Sequence, residues 1–106
     1  MNLLLEVTSH IAGRNAKVRV YPDRVEWELP PHAKSIAARL GKTHGDVEMI
    51  PMRGITTVAH KRNMIGNDVV DIVVTSGNVM NVRCSTPEAE RLCALILDGI
   101  NGRLED

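Results

Sequence analysis

Polar and apolar residues alternate along most of this chain, and a helical period replaces the alternation only near its end. Lys17-Val18-Arg19-Val20-Tyr21 puts Val18 and Val20 on one side and Lys17, Arg19 and Tyr21 on the other. Val25-Glu26-Trp27-Glu28-Leu29 repeats the pattern with Val25, Trp27 and Leu29 inward. Pro22-Asp23 between them reads as a tight turn, because proline presets the first central torsion. This hairpin, Ala16 to Leu29, is the clearest β signal in the sequence. Leu3–Ile11 is an earlier strand with Leu3, Leu5 and Val7 on one side, broken by Ala12-Gly13-Arg14-Asn15. Glu48-Met49-Ile50, Ile55–Arg62, Val69–Thr75 and Val79–Cys84 complete the extended segments. A corner at Pro51–Gly54, a turn at Asn63–Asp68 and a tight turn at Ser76-Gly77-Asn78 join them.

From Thr86 to Asn101 the period changes. Ala89, Leu92, Cys93, Ile96 and Ile100 recur at helical spacing, with Leu97 on the margin of the stripe. Thr86 is expected to cap the helix, with Pro87 where a missing N–H costs nothing and Glu88 and Glu90 near the positive end of the dipole. Asn101-Gly102 supplies the stop. A lone helix must bury its stripe on something, and everything before it reads as strand. The predicted fold is therefore mainly β: one domain over residues 1–106, a seven-stranded bent antiparallel barrel or sandwich capped by one C-terminal helix. Residues 30–47 hold no period and are expected to form a mobile loop carrying His32, Lys34, Arg39, Lys42 and His44.

Composition sharpens this picture in a few places. At 106 residues, with 43% hydrophobic and 25% charged side chains, the chain can build a single core without staples. Trp27 and Tyr21 are its only aromatic residues, so the core is aliphatic. The stacking platforms of single-strand nucleic-acid binders are missing, and nucleic acid is not an expected partner. The net charge is zero but uneven: ten Lys or Arg face six Asp or Glu up to Arg62, and three face seven beyond it. Such a split suits head-to-tail self-association or an anionic ligand at one end. Cys84 and Cys93, both flanked by core-type residues, are expected as thiols and not as a disulfide. The N-terminus lacks the basic region of a signal peptide and no window is long and apolar enough to span a bilayer, so a soluble, cytoplasmic protein without an integral membrane segment is expected.

Candidate chemistry is sparse. His10, His32, His44 and His60 have no metal-ligand spacing with one another or with the cysteines. Ser9, Ser76 and Ser85 sit in no nucleophile-elbow context, and no Gly-rich phosphate loop opens a helix. Asp68 with Asp71 falls on a strand edge, where acid–base work is chemically open but nothing else in the sequence supports it. No catalytic residue, metal or cofactor is assigned, and the expected role is binding.

The run Glu-Met-Ile-Pro-Met-Arg-Gly-Ile-Thr-Thr-Val-Ala-His-Lys-Arg (Glu48–Arg62), then Val69–Thr75, Ser-Gly-Asn, Val79–Cys84 and Thr86–Ile100, resembles the bacterial pleckstrin-homology-like domains, which are frequent in actinobacteria and their phages. The likeness is strongest in Ile-Pro-x-x-x-Ile-Thr-x-Val followed by hairpin and helix, and extends loosely to Lys17–Leu29. It implies a seven-stranded bent barrel with one C-terminal helix. The tryptophan common in the last helix of eukaryotic pleckstrin-homology domains has no counterpart here; Leu92 and Ile96 stand in that region.

The resemblance also implies that the first, third and sixth inter-strand loops gather at the end opposite the helix. Arg14, Lys17, Arg19, Lys34, Arg39 and Lys42 would then be candidates for an anionic ligand, and Lys17-Val18-Arg19 is similar to the basic triplet of lipid-binding members. Alternating outward Lys-x-Arg is equally what a half-solvated strand shows. His60-Lys61-Arg62 is a second basic cluster and a candidate interface. An exposed edge at Ile55–Arg62 or Leu3–Ile11 would accept a peptide strand or a second copy of the domain. The functional expectation is a non-enzymatic adaptor that binds protein, itself included. The alternative is a peripheral binder of anionic lipid headgroups or phosphorylated metabolites.

Overall fold

The computed structural model describes residues 2–11, 14–28 and 47–104. The expected loop over residues 30–47 thus falls outside the described residues apart from Val47, which opens a strand. Among the described residues, seven strands and a C-terminal helix follow in the order anticipated. They are β1 (Leu5–Ile11), β2 (Arg14–Val20), β3 (Arg24–Glu28), β4 (Val47–Pro51), β5 (Ile55–Lys61), β6 (Asp68–Val74), β7 (Val79–Cys84) and α1 (Thr86–Ile100), with a single 3₁₀ turn, Met52–Gly54, between β4 and β5. Arg14 opens β2 opposite Ile11, where the sequence suggested a loop position.

The strands form two antiparallel sheets, β1-β2-β3-β4 and β5-β6-β7. The side-chain period of two sets their faces. Val7, Val18, Val20, Val25 and Ile50 point inward from the first sheet, and Ile55, Val70, Ile72, Val82 and Cys84 from the second. The β2–β3 register, Val18 opposite Trp27 and Val20 opposite Val25, places the hairpin's apolar side as its alternation required. Trp27 is half-buried against the core, and Leu29 lies outside the described residues. Branched aliphatics fill the core in place of rings.

The sheets meet at two corners. At one, β1 runs along β7, and the buried Ser9 hydroxyl accepts the Arg83 backbone N–H at 2.9 Å. The β1 edge, expected to be open, is therefore covered. At the other, the Met52–Gly54 turn carries the chain from sheet to sheet, held by Met52 N–H to the Asp23 carbonyl at 2.9 Å and Thr75 N–H to the Gly54 carbonyl at 2.9 Å.

Helix α1 packs chiefly on β5, β6 and that turn. Its cap is Ser85, one residue before the expected Thr86, and Ser85 and Glu88 form a reciprocal capping box. Ala89, Leu92 and Ile96 are fully buried, while Leu95 and Ile100 pack at the border. Leu97, expected on the margin, is half-exposed. Gly99 permits close approach: a Cβ there would stand 2.5 Å from the Met52 sulfur.

Candidate functional site

The sequence singled out cations on the outer face of β2, and register decides what surrounds them. Thr8 lies opposite Lys17, and Glu6 opposite Arg19, on β1. On β3 the partners are Glu28 and Glu26. The Arg19 Nε donates to Glu6 at 2.8 Å, and its terminal nitrogens reach Glu28 at 3.4 Å. The Glu6 bond in the first place, with burial opposing and Glu28 assisting, holds the Arg19 guanidinium above its ordinary pKa. Lys17 Nζ donates to the Thr8 hydroxyl at 2.9 Å. Arg24 is similarly met by Glu26 at 2.9 Å and Asp23 at 3.0 Å, and covers the Tyr21 ring at 4.0 Å. The described part of this face is a ladder of alternating charge. Lys34, Arg39 and Lys42 lie outside the described residues, as does the Arg14 side chain, so no convergence of all six candidates is described.

The second cluster separates into three roles. His60 turns inward and its Nε2 lies 2.7 Å from the buried Asp68 carboxylate. Lys61 pairs with Asp71 at 2.7 Å, and Arg62 reaches Glu90 at 3.4 Å from exposed positions. Asp68 also accepts the Asn63 N–H at 3.1 Å. That backbone bond first, then His60, and finally Thr86 hold its carboxyl below the usual range against the opposing effect of burial. Asp68 is thus a buried anchor for the β5–β6 turn and the helix start.

A site that the sequence did not single out lies at the far end of β6. A cleft of about 390 Å³ opens between β4 and the β6–β7 hairpin, walled by Met49, Ile50 and Pro51 on one side and Val74, Val79 and Met80 on the other. Thr75, Ser76 and Asn78 supply hydroxyl and amide groups. Among the described residues Glu48 is the only charged one in its lining, and it forms no ion pair with any of them. Strand β4 is the edge of its sheet, and Val47, Met49 and Val79 are 44%, 64% and 51% exposed around the opening. Among the described residues no strand pairs with the outer side of β4, which runs beside an apolar, sulfur-rich wall, and none of them brings to the cleft the converging cations that a phosphate requires. One signal was present: Val47, Met49 and Pro51 are apolar on the side of the strand opposite the core-facing Ile50.

Elsewhere, Cys84 and Cys93 are free, and burial pushes the Cys84 thiol up to about 11. Among the described residues no three His, Cys, Asp or Glu side chains are grouped to hold a metal ion, and no helix is long and apolar enough to cross a membrane. No model of a known protein family matches the chain, and no curated protein gives a significant sequence match.

Proposed function

We propose that this chain is a non-enzymatic protein-binding module that takes an extended segment of its partner along the outer edge of β4, with side chains of that segment entering the neighbouring cleft. One observation carries the reading: an edge strand and a cleft of about 390 Å³ with one apolar wall lie side by side, with Met49 and Val79 exposed at the mouth. An added strand gains affinity from main-chain hydrogen bonds and specificity from pockets for alternate side chains. The bent, pleckstrin-homology-like barrel is the scaffold we infer, supported by the seven-strand order, the Ser9–Arg83 link between β1 and β7 and the terminal helix. The actinobacterial or phage setting and the adaptor role go with that inference.

The alternative, an anionic headgroup or phosphometabolite on the cationic side, has to draw Arg19 away from Glu6 and Glu28. It therefore replaces two existing carboxylate contacts, and the net gain is small. The two readings separate in one experiment. Extended peptides selected from a displayed random library, and separately inositol hexakisphosphate, are titrated while backbone amide shifts are followed. Peptide-induced shifts and slowed amide exchange concentrated at Val47–Pro51 and Val74–Met80 are expected. Changes centred on Lys17 and Arg19 with the inositol phosphate, and no peptide response at β4, would reject the reading.

A further inference from the structure

The turn between β5 and β6 presents two adjacent large apolar side chains, Met64 and Ile65, at 102% and 91% exposure. The turn is fixed at its base. Asp68 accepts the Asn63 N–H, the Asn63 side chain donates to the Asn67 carbonyl at 3.1 Å, and Gly66 takes the positive φ of 90° that closes it. A tip already held in shape loses little freedom on docking, and neighbouring apolar side chains left in water mark a contact surface.

We infer that the occupant of the β4 cleft is a second copy of this chain, whose Met64–Ile65 turn enters the cleft without pairing as a strand along β4; this rests on reading that cleft as a protein-binding site. The two features are complementary in shape, a projecting apolar pair and a recess with an apolar wall, and both belong to one chain. They are complementary in charge as well. Lys61 is held by Asp71 at 2.7 Å, but Arg62 beside the tip pairs with Glu90 only at 3.4 Å, long and solvated enough to exchange. Glu48 on the cleft wall has no partner among the described residues. Tip and cleft also lie at opposite ends of β6, whose seven residues span about 20 Å. Each copy therefore offers one tip and one cleft, and the contact is head-to-tail between unlike surfaces.

The test uses the full chain and two paired variants at exposed positions: Met64→Glu with Ile65→Glu at the tip, and Met49→Glu with Val79→Glu at the cleft. Melting curves close to that of the parent establish that each folds. Sedimentation over a concentration series is expected to show self-association of the parent, weakened more than about tenfold in either variant alone. Mixing the variants restores a one-to-one complex, because one retains its cleft and the other its tip. A parent that stays monomeric throughout, or a mixture that stays monomeric when the parent associates, overturns the inference. So does flotation of a monomeric parent with phosphatidylserine vesicles that is lost only in the tip variant, which would make the turn a membrane wedge. A monomeric parent that still binds selected peptides at β4 refutes the second copy while leaving the binding-module reading intact.

Discussion

Ser9 shows how much one hydroxyl holds at the corner between the sheets. It is fully buried, and its oxygen is the acceptor for the Arg83 N–H, a donor on the β7 side that turns away from β6. Ser9→Ala strands that donor, at a cost of about 1–3 kcal/mol in urea-denaturation free energy. Wild-type stability in the variant would show that water reaches the corner. Ser85 carries a different lesson. Two adjacent hydroxyl residues, Ser85 and Thr86, both fit a helix start, and only Glu88 three positions after Ser85 distinguishes them. That signal was readable in the chain. The fate of Lys17 and Arg19 was less so: their alternation fixed which way they point, but not that Glu6 and Glu28 would flank Arg19 across two strand pairings.

At the scale of elements, the order of strands and the closing helix were legible because alternation, turn chemistry and helical period all changed where the elements change. The cleft was not, since it joins Glu48–Pro51 to Val74–Met80 and exists only once the two sheets face each other. The seat of α1 on the β4–β5 turn depends likewise on a distant pair, Gly99 and Met52. Gly99→Ala gains up to about 1 kcal/mol of helix propensity but overpacks a buried contact at about 1–3 kcal/mol. A net loss of about 1 kcal/mol is expected in chemical denaturation. Met52→Ala makes room for the added methyl, so the double variant should be less destabilised than the two single losses combined. Strict additivity would mean that the helix does not rest on Met52.

For the whole molecule, two buried groups set opposite limits on stability against pH. The Asp68 carboxyl is held low, so its contribution is present above about pH 4 and is lost as pH falls through the lowered value. Cys84 acts in the reverse sense. Its thiol stays protonated in the fold up to about 11, while the unfolded chain releases that proton near 8.5. Stability therefore declines between those two values as alkali favours the unfolded thiolate. Unfolding free energies measured from acid to alkali should show both flanks, and Cys84→Ala should flatten only the alkaline one. An unchanged alkaline slope in that variant would assign the decline to other groups. The same burial should leave native Cys84 unreactive toward iodoacetamide. The sole tryptophan gives the chain one more property. Trp27 stands opposite Glu48 in the β3–β4 register, half-sheltered and one strand in from the open edge. With no other indole in the molecule, its fluorescence comes from this one place, and whatever docks on β4 changes the polarity around it. The protein thus carries its own optical reporter of occupancy, without a dye or tag.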